Sequence, residues 1–260
     1  MTESKSKYTY CIVDAAGTDT RSLGTGIDDE PVSVVVQDDI GAVVHSCSPQ
    51  AYDTDDRSKA ETWVKQHNET IERAGDAFGT PLPMTFDTIF ADEDALRTFL
   101  DDHKEQIGSC LGDLAGTSEY GVRIYCEEDV LIGETEPADE TGSSDSSGMA
   151  YFERKKREKQ RRQELAERTK ERFQSYFPRI EAVVDEIMEE DLDRESDERG
   201  RNVLTASCLV ADGEVAGLKQ ALSEIDAEPG IEVVFTGPWH PYSFVGSFGT
   251  TASPTDTDGT

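Results

Sequence analysis

Residues 231–245, IEVVFTGPWHPYSFV, decide how the C-terminal part of the chain folds. Their first third, 231–235, is apolar and β-branched, which predicts a core strand. Pro238 and Pro241 each fix a backbone φ angle and remove a hydrogen-bond donor, so the neighbouring aromatic residues are held in an extended segment. We expect this segment to close the protein's own core as a structural latch, with direct contact to a partner as the alternative. The predicted latch residues are Gly237, Pro238, Trp239, Pro241, Tyr242 and Phe244.

The charge balance is extreme: 55 acidic and 25 basic side chains give the 260 residues a formal net charge of −30. Apolar residues are nevertheless spread through periodic segments, which argues against global disorder. Molar salt shortens the Debye length to about 3 Å and screens the self-repulsion of such a surface. We therefore interpret the chain as a folded, halophilic protein of a salt-rich cytoplasm, and we expect dilution of the salt to weaken it.

Motifs of catalysis, metal binding and membrane insertion are missing from the sequence. There is no HExxH, GxSxG, Walker A or GxGxxG pattern, no signal peptide and no run of 18 apolar residues. We expect no enzyme activity, no cofactor, no metal site and no membrane span. The cysteines form no CxxC pair and are read as reduced core thiols of an intracellular protein. These residues are Cys11, Cys47, Cys110, Cys126 and Cys208, and the scattered histidines are His45, His67, His103 and His240.

The first 116 residues predict an N-terminal α+β domain. Alternating apolar residues predict four strands, and apolar residues spaced by three and four predict two helices. The turn residues of QDDIG, 37–41, join the second and third strands as a hairpin. Gly116 ends the domain. The predicted strands are 8–13, 32–36, 42–44 and 82–86, and the predicted helices are 55–77 and 92–114.

Residues 117–247 predict a second α+β domain. Strand, long helical insertion, strand, helix and strand in this order fit a ferredoxin-like domain with a helical extension. Within the extension, Pro178 predicts a kink or break near Tyr176. The predicted segments are a strand at 120–126, a disordered loop at 134–148, the helical extension at 149–192, a strand at 203–210, a helix at 214–225, a strand at 231–235 and a disordered tail at 248–260.

The two halves of the helical extension differ in chemistry. Residues 154–172 hold ten of the 25 basic side chains, interleaved with glutamates at i,i+3 and i,i+4 spacing. Such a helix favours an acidic partner, or the protein's own acidic surface, over nucleic acid, since phosphate contacts weaken steeply in salt. The second half is broadly apolar, and it either packs on the sheet or binds a hydrophobic partner helix. Its candidate partner-binding residues are Phe173, Phe177, Ile180, Val184, Ile187 and Met188.

Several stretches resemble the gas vesicle GvpF/GvpL family, and together they span most of residues 7–247. Two positions depart from the family pattern: His240 stands where the pattern has Pro, and Asp87 where it has Gly, so the turn at Asp87 is expected to differ. The stretches are YTYCIVDA at 8–15, HNETIERAGDAFGTPLPMTFDTIF at 67–90, YGVRIYCE at 120–127, GMAYFERKKR at 148–157 and TGPWHPYSFV at 236–245.

The resemblance implies a non-enzymatic accessory protein of gas vesicle formation, located in the cytoplasm and at the gas vesicle. Such a protein is a minor vesicle component or assembly factor. It binds the small hydrophobic shell protein and other accessory gas vesicle proteins during nucleation and limits their aggregation. The alternative is a small-molecule-binding or enzymatic ferredoxin-like protein, because that fold hosts many functions. A deep pocket with converging polar groups favours the alternative, and an exposed apolar groove at the domain junction favours assembly.

Overall fold

A computed structural model describes residues 5–17, 23–133, 148–190 and 196–246. They form two compact units: the first comprises the described residues up to Ser118 and from Trp239 onward, and the second comprises those within Glu119–Pro238. Residues 239–246, here called the C-terminal segment, therefore belong to the first unit, whereas the sequence places them in the second domain. The reason is their packing against a helix of the first unit, described below. The predicted tail, 248–260, and residues 134–147 of the predicted loop lie outside the described residues.

An antiparallel sheet with β1 in its middle forms the base of the first unit. Strand β3 pairs with one side of β1 and is followed by β2, and β4 and β5 pair with the other side of β1. The predicted hairpin is confirmed, because Gln37 lies opposite Ile40 and Asp38 turns the chain at φ +54. The strands are β1 (Ser6–Asp14), β2 (Ser33–Gln37), β3 (Ile40–Cys47), β4 (Leu82–Pro83) and β5 (Ile89–Phe90).

Two helices of the first unit begin at carboxylate caps. The Asp56 side chain accepts hydrogen bonds from the backbone N–H groups of Ser58 and Lys59, and the Asp92 side chain accepts one from Ala95. The predicted helix 55–77 is confirmed. The helices are α1 (Arg57–Phe78), α2 (Glu93–Asp102) and α3 (Lys104–Leu114), with a short 3-10 turn at Ile27–Asp29.

Two predicted elements of this unit differ from the structure. The helix expected at 92–114 is interrupted at His103, where φ −108 and ψ 10 leave the helical region, so α2 and α3 are separate. The strand expected at 82–86 pairs over two residues, because Pro83 has no N–H to donate and the chain turns at Asp87 with φ +69.

The second unit orders its main elements as strand, helix, strand, strand, helix, strand. Its sheet has the order β10-β6-β9-β7, and β8 pairs with β9. Helices α5 and α6 contribute Tyr176, Ile180 and Leu218 to a core shared with Val122 and Leu204 of the sheet. The elements are β6 (Thr117–Cys126), α4 (Glu128–Ile132), α5 (Gly148–Glu181), β7 (Glu186–Glu189), β8 (Ser196–Asp197), β9 (Gly200–Ala211), α6 (Val215–Asp226) and β10 (Ile231–Trp239).

The predicted helical extension, 149–192, is too long. Helix α5 ends at Glu181, and Glu186–Glu189 form the edge strand β7, antiparallel to β9. The apolar residues of this stretch fit the helical period, but pairing with β9 turns Ile187 onto the core and determines the outcome. Pro178 lies inside α5 rather than at its end. A local apolar pattern therefore could not reveal the pairing with a strand that comes later in the sequence.

Candidate interaction surface

Helix α1 has a buried face and an open face. The buried face carries Trp63, Ile71 and Ala74, which belong to the core of the first unit. Because side chains three and four positions apart share a side of a helix, the residues between them line the opposite side. The open stripe consists of Arg57, Ala60, Glu61, Val64, Lys65, Asn68, Glu69 and Glu72.

The C-terminal segment packs along this helix within the first unit. The Tyr242 hydroxyl donates a hydrogen bond of 3.0 Å to Oδ1 of Asn68. Two turns of α1 further on, Gly75 lies directly against the imidazole of His240, where any Cβ would collide with the ring. The position at which the family pattern has Pro is therefore used here for a contact that requires glycine on the opposing helix.

Trp239 and Val64 border an open apolar groove, here called the α1 groove. Their side chains are 53% and 46% exposed, and Tyr242 on the same segment is 41% exposed. The groove has a volume of about 670 Å³. Of the five large apolar side chains that are exposed in the described part of the chain, these three lie in the first unit. Exposed apolar surface that is gathered at one place indicates a binding site.

Charged side chains form the rim of the α1 groove and pair with one another. Arg57 Nε lies 2.9 Å from Glu61 Oε1, and Lys65 Nζ lies 3.6 Å from Glu69 Oε1. Both are i,i+4 pairs along the helix, so they leave little net charge at these positions. An apolar centre with a polar rim is the arrangement found in protein–protein interfaces. The groove is therefore suited to an apolar ridge of a partner protein.

The predicted latch residues have different environments. Gly237 has φ +114, and a Cβ there would lie 2.8 Å from the Glu119 carbonyl oxygen, so this position requires glycine. The structure differs from the expectation that the aromatic residues close the core, because Trp239 and Tyr242 are 53% and 41% exposed. Phe244 is half-buried. Of the two prolines, Pro238 is exposed and Pro241 is buried.

The predicted partner-binding residues of the second unit lie mostly in its core. Ile180 is completely buried, whereas Met188 is 41% exposed. The six residues also do not share one helix, because Ile187 and Met188 lie on β7. This stretch therefore packs mainly on the sheet, which is the first of the two possibilities given for it in the sequence. The four that are half-buried against the core are Phe173, Phe177, Val184 and Ile187.

Two of the four scattered histidines come together around Tyr8 inside the first unit. Tyr8 Oη lies 2.8 Å from His67 Nδ1, and the Tyr8 ring stacks on His45 with centroids 5.0 Å apart. Tyr10 Oη lies 2.7 Å from His45 Nδ1, and His45 Nε2 lies 2.8 Å from Tyr52 Oη. Sequence reasoning missed this network. Its one local signal is the alternation of Tyr8 and Tyr10, which points both rings to the same face of a strand.

Burial keeps this network uncharged. It lowers the pKa of His45 and that of His67 to about 4, and it raises the pKa of Tyr10 to about 12. The Ile27 N–H donates to Tyr10 Oη, which shares a hydrogen bond with Nδ1 of His45, and Nε2 of His45 shares another with Tyr52 Oη. These groups act as neutral hydrogen-bond partners within the core.

A smaller polar cleft of about 280 Å³ opens beside the network. Among its lining residues, Asp28 accepts a hydrogen bond of 2.8 Å from Trp63 Nε1, and burial raises the pKa of the Cys47 thiol. A protonated thiol is a poor nucleophile. In the described ranges, no three His, Cys, Asp or Glu side chains are grouped to hold a metal ion. None of the helices seen there combines the length and apolar character required to span a bilayer.

Comparison with known proteins reveals a consistent relationship. The sequence profile of the family described as gas vesicle synthesis protein GvpL/GvpF matches residues 6–246. Gas vesicle protein L1 of Halobacterium salinarum is 34% identical, over 95% of this chain and 93% of its own. Gas vesicle protein L of Haloferax mediterranei is 30% identical, over 86% and 74%. The crystal structure of GvpF from Anabaena sp. has a TM-score of 0.73 at 19% identity, over 94% of this chain and 99% of that one.

The matched region begins in β1 and ends at the last described residue of the C-terminal segment. It thus includes both units and all residues that line the α1 groove. The likeness to the Anabaena structure supports the mixed α/β fold with two antiparallel sheets. The resemblance found in the sequence is confirmed, and the chain belongs to the GvpL/GvpF family of gas vesicle synthesis proteins.

Proposed function

We propose that this protein is an accessory protein of gas vesicle formation that binds the hydrophobic shell protein and other accessory gas vesicle proteins during nucleation. Its membership of the GvpL/GvpF family supports this role. The observation that carries the binding mechanism is the α1 groove, an apolar surface on a chain of net charge −30. In this role the protein works at the growing gas vesicle and limits aggregation of the shell protein.

Apolar contact suits a salt-rich environment better than ion pairing does. Covering a half-exposed Trp239 removes on the order of 100 Å² of apolar surface from water, which contributes about 2.5 kcal/mol. Hydrophobic association persists in concentrated salt, whereas exposed ion pairs are screened. The remaining acidic surface then keeps the complex dispersed, because net charge opposes association between complexes.

We also assign the second unit to the ferredoxin-like class. Its strand–helix–strand–strand–helix–strand order and its sheet order β10-β6-β9-β7 support this assignment. That fold hosts both enzymes and binding modules, so it does not decide the function. The neutral, enclosed histidine network and the exposed α1 groove favour binding over catalysis.

Co-purification with the shell protein in concentrated KCl tests the proposal. Val64→Asp and Trp239→Asp place a charge in the groove, so each is expected to reduce capture of the shell protein at least about tenfold, the equivalent of 1.4 kcal/mol. Thr62→Asp is the matched control, because Thr62 is exposed on the same helix but does not line the groove. It is expected to bind as the wild type does.

Circular dichroism establishes that each variant is folded. Folded Val64→Asp and Trp239→Asp variants that still capture the shell protein would overturn the groove mechanism. Met188→Asp addresses the second unit, because this side chain is the exposed member of the earlier candidate set. Loss of binding in Met188→Asp alone would place the partner contact at β7.

A further inference from the structure

Basic side chains are concentrated on one part of α5. Residues 154–172, here called the basic arm, hold ten basic and four acidic side chains, a net charge of +6. The rest of the chain holds 15 basic and 51 acidic side chains, a net charge of −36. Every side chain from 152 to 164 is exposed, and Leu165 is the first to be buried. The arm therefore presents positive charge to the surroundings of a strongly negative protein.

Part of this charge has no counterpart in the described part of the chain. Helical geometry of 100° per residue places four basic side chains within an arc of about 120° and over about 21 Å of the helix axis. Among the described residues, no carboxylate lies within 4.0 Å of any of the four, whereas other arm residues pair with glutamates. The four are Lys156, Lys159, Arg162 and Lys170.

Negative charge, opposite to that of the basic arm, lies on and beside β7 in the same unit. This strand forms the edge of its sheet, where charged residues deter pairing with further strands. A groove of about 650 Å³ between α5 and β7 is lined by Glu167, Lys170, Phe173 and Glu189. An exposed acidic run of about 17 Å follows this edge, and its side chains alternate between the two faces of the sheet, with Glu189 in this groove and Glu190 in a separate cleft. The run consists of Asp185, Glu186, Glu189 and Glu190, none with a basic side chain within 4.0 Å in the part of the chain that is described.

We propose that the basic arm of one molecule docks on the β7 edge of a second copy of this chain. The two surfaces have opposite charge and similar length. In a two-fold arrangement each copy supplies both, which makes the interface closed and self-complementary. Nucleic acid fits less well, because glutamates interleave with the basic side chains of the arm and would face the phosphates. This interface is separate from the α1 groove and does not depend on the proposed function.

Sedimentation equilibrium of the full chain measures the predicted association. The lowest KCl concentration that preserves the circular dichroism spectrum is used, because salt weakens ion pairs between exposed groups. The wild type is expected to reach the mass of a dimer as its concentration rises, and to dissociate as KCl is added. A wild type that remains a monomer at every concentration would overturn the proposal, as would a dimer that is insensitive to salt.

Charge exchange identifies the surfaces. Lys159→Glu is expected to weaken dimerisation at least about tenfold, and Lys219→Glu, which makes the same charge change on α6, is expected to leave it unchanged. Glu186→Lys with Glu189→Lys should also give monomers. A variant that carries Glu186→Lys and Glu189→Lys together with Lys156→Glu and Lys159→Glu should form the dimer again.

The result of the charge exchange decides the proposal. A dimer that survives either set of changes, or monomers that persist when the two are combined, would show that the arm and the β7 edge do not meet. If a charge reversal unfolds the chain, Lys156→Gln with Lys159→Gln removes the charges without reversing them. This variant is then expected to be a folded monomer, and a folded dimer would contradict the proposal.

Discussion

At Asp87 the backbone adopts φ +69, the left-handed conformation that glycine takes at no steric cost. Asp tolerates this region because its short side chain can hydrogen-bond locally. Here Oδ1 accepts a hydrogen bond of 2.9 Å from the Tyr52 N–H, and the Asp87 N–H donates to Tyr8 Oη at 3.2 Å. The departure from the family pattern therefore keeps the backbone conformation that glycine would adopt, and adds a link to the buried network.

Asp87→Ala should lower the free energy of unfolding by about 1–2 kcal/mol, because it leaves the Tyr52 N–H without its acceptor and keeps a Cβ at positive φ. Asp87→Asn is the matched variant, since its amide oxygen can accept the same bond and Asn tolerates this conformation. Urea unfolding in concentrated KCl gives both values. Equal loss in the two variants would contradict a role for the hydrogen bond.

The buried histidines predict a pH dependence. Their pKa of about 4 in the folded protein lies below the value of about 6.5 expected in the unfolded chain. The unfolded state therefore takes up protons first, and stability falls as pH decreases from about 6.5 towards 4, by up to about 1.4 kcal/mol per pH unit for each histidine. Imidazole NMR signals of His45 and His67 should remain those of the neutral form at pH 5.5. Titration of either near pH 6.5 would contradict the account.

At the scale of elements, sequence patterns predicted the helices and hairpins whose stabilising contacts are close together in the sequence. The apolar spacing of α1 and its Asp56 cap lie next to each other in the sequence, and so do the two strands of the hairpin around Asp38. Strand β7 could not be predicted in this way, because its partner is β9 and a helical period fits the same apolar residues. The break between α2 and α3 at His103 had no glycine or proline to mark it.

The end of α5 gives a prediction for this element. Ile180→Ala should cost about 2–5 kcal/mol, because Ile180 is completely buried between α5 and the sheet of the second unit. Met188→Ala should change stability by less than about 0.5 kcal/mol, because Met188 is exposed on the edge strand. Denaturant unfolding of the two variants tests this assignment. Similar losses of unfolding free energy in the two variants would mean that Ile180 and Met188 are equally buried, which would contradict the assignment.

At the scale of the whole molecule, the candidate site could be predicted only in part. The aromatic residues of the C-terminal segment stood out in the sequence, but their helix, α1, lies about 170 residues earlier in the chain, as the Asn68–Tyr242 hydrogen bond shows. Exposure of Trp239 depends on which side chains α1 places beneath it, and composition does not contain that information. The histidine network was missed for the same reason, since its members come from separate elements.

Net charge belongs to this scale too, and it predicts a salt-dependent fold. A charge of −30 opposes compaction at low ionic strength, and molar salt screens it. The thermal midpoint, followed by circular dichroism from low to multimolar KCl, should rise with salt. A midpoint that stays constant or falls would contradict the halophilic interpretation.

The central claim is that the α1 groove recruits the partners needed for gas vesicle formation. Its most direct measurement is the number of gas vesicles, counted by electron microscopy, in cells that form them only when this protein is supplied. At equal protein abundance, the account predicts that Trp239→Asp abolishes vesicles and that Thr62→Asp supports them as well as the wild type does. A wild-type number of vesicles with Trp239→Asp would contradict it.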